Sequence, residues 1–159
     1  MKITQKHILF WDGIFSNFYP CYFENEDGEF FTSEQYFMYM KALYFNDVEI
    51  ADKIYNEKLP GKCKKLGRQI KNFDKEEWLT VCEEVMEKAV YDKFNQNKRL
   101  LKELLDPKYN GKKFVEASPF DDIWGIKMGE ENPDADNESK WCGLNLLGKV
   151  LNNVRIRLL

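Results

Sequence analysis

Apolar residues recur at the helical period in three separate stretches, and that spacing constrains the chain more than any other feature. Tyr36, Met40 and Leu43 form the first stripe. Trp78, Val81, Cys82, Val85, Ala89 and Phe94 form the second, and Leu144, Leu147, Leu151, Val154 and Leu158 the third. A helix with one apolar face has to bury it against neighbouring elements. Thr32 and Gln35 have capping-box spacing, which starts the first helix and carries it to about Asn46. A second helix spans Val48 to Asn56 and stops at Pro60-Gly61, and Lys62 to Ile70 is a short basic stretch of one or two turns. Asp74, with Glu77 three residues on, caps the helix that carries the second stripe. Lys98 to Leu105 is another helix, ended by Asp106-Pro107.

Strand signals gather near the N-terminus. Lys6 to Trp11 is apolar and aromatic, and Cys21–Glu24 and Glu29–Phe31 flank Asn25-Glu26-Asp27-Gly28, whose Asp-Gly pair marks a hairpin. Asn110-Gly111 is a turn, Phe114–Glu116 a strand, and Ser118 to Gly125 a loop. Glu130 to Lys140 is polar and acidic and reads as a mobile excursion. The expected fold class is mainly α (α+β): a compact single-domain helical fold with a small antiparallel sheet near the N-terminus. One domain covers 1–159, a length that buries a real core.

Composition removes several function classes. Lys plus Arg number 24 against 27 Asp plus Glu, a net charge of -3, which disfavours a strongly basic nucleic-acid module but not a local basic patch. No apolar run approaches the roughly 20 residues of a membrane span, and Met1 to Lys6 lacks a signal-peptide core. Cys21, Cys63, Cys82 and Cys142 are far apart and form no CxxC, the pattern of reduced thiols in the cytoplasm. With His7 the single histidine, no metal site is expected. The same scarcity disfavours Ser-His-Asp and Cys-His sites and leaves acid–base chemistry to carboxylates or lysine.

Three segments carry more chemistry than core filler needs. Phe10 to Phe18 places four aromatics around Asp12-Gly13 and Ser16-Asn17. Such a run sandwiches a flat ring, or simply forms a buried aromatic cluster with Asn17 fixing a turn. Thr32 to Ala42 places Glu34 in a helix's first turn and Lys41 seven residues on, on the same face. Glu34 there stabilises a cation or complements the helix dipole, and Lys41 is a nucleophile if desolvated or an ordinary surface charge. Val115 to Gly125 offers Glu116, Asp121, Asp122 and Trp124, a pair of acids for sugar chemistry or a turn with its cap. Arg68 beside Gly67 is a smaller candidate, as a bidentate phosphate clamp or a surface charge.

Taken in order, these segments resemble the NADAR (YbiA-like) family. The matching pieces are Phe15-Ser16-Asn17-Phe18, then Thr32-Ser33-Glu34-Gln35 with Met38 and Lys41-Ala42, then Gly67-Arg68 with Ile70 and Trp78. Tyr91 with Lys93-Phe94 and Asn97 with Leu100 follow. The last are Glu116-Ala117-Ser118-Pro119 with Asp121 and Trp124-Gly125, and Trp141, Gly143, Asn145, Leu147 and Gly148 with Arg155. The likeness runs from about Trp11 to Leu158. It departs once: the family's Trp-Gly-x-Gly has Lys127 at its second glycine, which either adds a phosphate contact or restricts the loop by demanding an ordinary φ.

The resemblance implies an N-glycosidase that hydrolyses the C1′–N bond between a phosphorylated ribose or ADP-ribose and a base. Two substrate classes go with the family: ribosylamino-pyrimidine phosphates of riboflavin synthesis, and ADP-ribose on guanine in nucleic acid. It assigns Glu34, Lys41 and Asp121 to catalysis, and Trp11, Asn17, Arg68, Glu116 and Trp124 to substrate binding. No cofactor is implied. Two other classes fit the same residues. One is a module that binds ADP-ribose or a nucleotide without cleaving it. The other is a structural partner protein whose aromatics are all core.

Overall fold

A strand covered on both faces is buried throughout, and His7–Phe10 is buried at all four positions. In the computed structural model, which describes every residue from Met1 to Leu159, this strand is β2. It pairs antiparallel with β1 (Lys2–Ile3) and parallel with β5 (Lys113–Glu116), with Phe10 opposite Glu116. The antiparallel pairing expected near the N-terminus is present here and in the hairpin of β3 (Phe23–Asn25) and β4 (Gly28–Phe30). The parallel partner is an addition to that expectation. A parallel pair needs a long crossover, and here most of the chain lies inside it. The elements gather into two units, one of residues 17–98 and one of residues 1–16 with 99–159.

The first unit is helical apart from its hairpin. α1 (Ser33–Tyr44) lies against α2 (Val48–Tyr55), α3 (Pro60–Gly67) and α5 (Cys82–Asn95). Phe30 and Tyr36 meet edge to face at 4.9 Å, and the Tyr36 hydroxyl donates to Asp27 at 2.8 Å. Pro60, read as a stop, opens α3 as its first residue. The ring's fixed φ and missing N–H suit that position. The stripe from Trp78 to Phe94 is carried by two helices, α4 (Lys75–Leu79) and α5, and not by one. The Thr80 hydroxyl donates to the Glu77 carbonyl at 2.7 Å where the helix breaks. Side chains that compete for backbone groups in this way favour helix ends. Trp78 and Cys82 are both buried across the break, so periodicity alone does not register it.

In the second unit, α7 (Leu146–Leu158) packs on β5. Phe15, Tyr109 and Phe114 form a ring cluster with centroids 4.7–5.8 Å apart. Arg155 ties α7 to α6 (Lys98–Leu104) by donating to the Leu104 carbonyl at 2.9 Å. The acidic excursion is anchored, which corrects its reading as mobile. His7 is buried, with Nδ1 2.7 Å from Asp136 and Nε2 3.2 Å from Glu138. Trp141 packs against the cluster of Leu9, Val115, Ala117, Ile126, Met128 and Ala135 and donates its indole N–H to Ala135. The stretch is polar by count, and its few apolar and paired residues hold it down. No helix is long and apolar enough to cross a membrane.

α5 also buries a lysine. Lys93 is 1% exposed, and burial pulls its ammonium down to about 8, with the neighbouring Cys21 thiol acting in the opposite direction. An unfolded lysine titrates near 10.4, so between about pH 8 and pH 10.4 the unfolded chain holds the extra proton. Stability contributed through this group therefore rises with pH across that window. Urea melts of the wild type and Lys93→Met at pH 7.5 and pH 10 are expected to show the wild type gaining stability relative to the variant as pH rises, because the raised Cys63 and Cys82 thiols act on both chains alike. A difference of roughly 1–3 kcal/mol follows from a shift of this size.

Candidate functional site

The first amides of α1 lack helical partners, and the sequence supplies them. The Thr32 hydroxyl accepts from Gln35 N at 3.0 Å. The Gln35 side chain accepts from Phe31 N at 2.8 Å and donates to the carbonyls of Ile54 and Tyr55. Glu34 N donates to the Asn17 carbonyl at 3.1 Å. Two expected site residues, far apart in sequence, are thus joined by a backbone bond. Glu34 is 7% exposed and Asn17 8%. Asn17 Oδ1 and Ser33 Oγ are buried with no hydrogen-bond partner. A buried polar atom of this kind costs about 1–3 kcal/mol, and a ligand hydroxyl or amide is one group that satisfies it.

Lys41 projects from α1 two turns after Glu34. Its ammonium donates to the Gly67 carbonyl at 3.3 Å and lies 4.2 Å above the Phe73 ring. Burial lowers its pKa, the Glu34 charge raises it, and the Arg68 charge lowers it. The same carboxylate, after burial and Glu57, helps push the Cys63 thiol up to about 12. Glu34, Lys41 and Arg68 therefore share one electrostatic neighbourhood. Gly67 is where α3 meets α1: a Cβ there would overlap the Met38 side chain. The glycine beside Arg68 is thus explained by close helix packing, which also presents its carbonyl to Lys41.

The other four expected residues belong to the second unit. β2 and β5 run parallel, so both end at the same edge, and Ala117 N donates to the Phe10 carbonyl at 2.6 Å. Trp11 follows β2 and is 50% exposed; its ring lies 5.7 Å from that of Phe120. Glu116 ends β5, half-buried, its amide held by Asn145 Oδ1 at 2.9 Å. Asp121 Oδ1 accepts from Ile123 N at 2.9 Å and Trp124 N at 2.8 Å. That is the turn-forming role a carboxylate in such a loop ordinarily has, and it fixes the backbone that carries Trp124. A cleft of about 330 Å³ in the same unit is lined by Asp12, Phe15, Arg99 and Glu103 among others. None of the eight expected residues lines it.

Sequence reasoning gave no role to Phe73 or Phe120. Phe73 meets Lys41 only through tertiary packing, so no local signal marks it. Phe120 stood within a segment already singled out, and its exposure is the missing signal. No group of three or more His, Cys, Asp or Glu side chains could hold a metal ion. Lys127 has φ +56°, so it takes up the left-handed backbone of the glycine it replaces, and the loop is not forced into an ordinary φ. That conformation costs a residue with a Cβ about 1 kcal/mol. Lys127→Gly is accordingly expected to stabilise the fold by about 1 kcal/mol in chemical denaturation. A loss of stability would show that the lysine side chain makes a compensating contact.

Comparison with known proteins gives the chain its relatives. Residues 9–159 match the NADAR domain family. Protein irg-1 of Caenorhabditis elegans is 39% identical, over 96% of this chain and 79% of its own length. N-glycosidase R617 of Acanthamoeba polyphaga mimivirus is 39% identical, over 89% of this chain and 85% of its own. The NMR structure of Escherichia coli YbiA superposes with a TM-score of 0.77 at 28% identity, covering 99% of this chain and 87% of that one. The ordered motifs, the fold and the extent of these matches agree, and the chain belongs to the NADAR family.

Proposed function

We propose that the protein hydrolyses the C1′–N bond joining a base to a phosphorylated ribose or to ADP-ribose. The observation that carries this reading is Glu34, a carboxylate buried in the first turn of α1 beside Lys41 and Arg68. The name of the mimivirus relative, an N-glycosidase, supports it. Breaking C1′–N builds positive charge on the sugar, and a carboxylate in a partly dry site stabilises that charge with little reorganisation. Glu34 takes this role and orients the water that captures C1′. Arg68 holds phosphate, and the Asn17 amide and Glu116 bind polar groups of the substrate. Trp124 contacts its flat ring and Trp11 a further part of the substrate, while Asp121 positions ribose hydroxyls with the oxygen that its turn does not use. Residues 1–159 act as one functional domain in the cytoplasm, in keeping with four free cysteines.

The lowered pKa of Lys41 favours a second route through the same residues. The ribose ring opens to an imine between C1′ and the base nitrogen. The Lys41 amine adds to C1′ and the base leaves with its electron pair and a proton. Water then hydrolyses the lysine Schiff base, freeing the sugar aldehyde and restoring the amine. Because the pKa is lowered, the neutral amine becomes abundant at a lower pH than for an ordinary lysine.

Glu34→Gln keeps the shape and removes the charge, and it is expected to lower kcat about 100- to 1,000-fold. The assay, by mass spectrometry, follows release of ADP-ribose from an ADP-ribosyl-guanine oligonucleotide and release of the base from a ribosylamino-pyrimidine phosphate. Near-normal turnover in the variant would reject the assignment of Glu34. If binding of ADP-ribose persists with neither substrate cleaved, the protein is a binding module. Borohydride added during turnover is expected to trap a sugar adduct on Lys41 if the Schiff-base route operates. Full activity of Lys41→Met would exclude that route.

A further inference from the structure

The loop after β5 is held from beneath and displays its largest side chain to solvent. Ser118 Oγ accepts from Phe120 N and from Asp121 N, both at 3.3 Å, and Asp121 Oδ1 accepts two further amides. With the backbone fixed in this way, the Phe120 ring is 79% exposed. It does not stand alone. Trp11, from the neighbouring strand end, lies 5.7 Å away at 54° and is 50% exposed. Single exposed aromatics are ordinary. Two in contact, one on a braced loop and one at a strand end, form a prepared apolar surface whose ordering cost is already met by the fold.

We propose that Trp11 and Phe120 form a stacking platform for a base adjacent to the modified one in single-stranded nucleic acid, which makes Phe120 a specificity-determining residue. The proposal rests on the N-glycosidase reading for the bond that is cleaved. Two observations favour a neighbouring base over the cleaved nucleoside itself. A small metabolite is normally buried over most of its surface in a concave site, whereas this platform is outward-facing. Bases of a single strand stack on exposed aromatic rings with little regard to sequence. Lys127, exposed in the same loop and bonded through its amide to the Asp121 carbonyl, adds a cation for the adjoining backbone phosphate. A net charge of -3 makes such local contacts necessary, since the surface as a whole does not attract a polyanion.

The test compares kcat/KM for a single-stranded oligonucleotide carrying ADP-ribosyl-guanine with kcat/KM for the same modified guanosine as a mononucleoside. Phe120→Ala is expected to lower the oligonucleotide-to-mononucleoside ratio about tenfold, through KM, and Phe120→Tyr to restore it. In the wild type, an oligonucleotide with abasic neighbours should lose the same preference. An unchanged ratio in Phe120→Ala overturns the platform. So does a fall that acts equally on both substrates, or a loss of self-association in sedimentation, which would assign the ring pair to a second copy of the chain. If the wild type cleaves neither substrate, the cleavage reading fails by itself. The platform is then judged by fluorescence anisotropy with a labelled oligo-dT. Affinity about tenfold weaker in Phe120→Ala supports it, and equal affinity overturns it.

Discussion

Four amides at the start of α1 have no partners within the helix, and the way they are satisfied organises the region around Glu34. Thr32 takes one through its hydroxyl, and Asn17 takes another through its main-chain carbonyl. Because the second bond uses backbone on both sides, it fixes Glu34 and Asn17 together whatever their side chains do. Gln35 completes the arrangement by linking the end of β4 to the end of α2. The carboxylate then lies at the positive end of the helix dipole, and both it and Arg68 act electrostatically on Lys41. A helix start needed for folding thus also fixes the position of a buried carboxylate.

The second unit solves a comparable problem with strands. Parallel pairing of β2 with β5 brings both strand ends to one edge, which places Trp11 beside the loop from Ala117 to Gly125. The loop holds its shape through Ser118 and Asp121 acting on their own backbone. Asn145, in a left-handed conformation, bonds the Glu116 amide and the Phe114 carbonyl and so joins α7 to the strand. The polar side chains here are mostly occupied with backbone. Two aromatic rings, Trp11 and Phe120, remain exposed beside them.

What the sequence disclosed follows from the range of each interaction. Caps and turns involve residues three or four apart, so Thr32 with Gln35 and Asp74 with Glu77 were readable, and both helix starts occur as expected. The break at Thr80 was hidden because buried residues continue the period across it. The anchoring of the acidic excursion was hidden for a different reason: His7 and Asp136 are distant in sequence, and composition records charges but not partners. The direction of β5 relative to β2 was also out of reach, since four residues do not encode it. Among the site residues, the grouping of Glu34 with Lys41 came from helical spacing alone. That of Glu34 with Asn17 and Arg68 depended on tertiary packing, and only the family pattern hinted at it.

The order in which the chain can fold follows from the strand pairing. Ile8 faces Phe114 across the parallel pair, so that contact closes a loop of about a hundred residues. Residues 17–98 contain no such requirement and draw their core from neighbouring helices. During synthesis this middle portion can complete itself on the ribosome while β2, made earlier, waits for a partner made later. The wait leaves β2, with Ile8, Leu9 and Phe10, open along the edge that β5 later covers, the kind of segment that associates with other chains. The arrival of β5 gives β2 its parallel partner and completes the edge on which Trp11 and Phe120 meet.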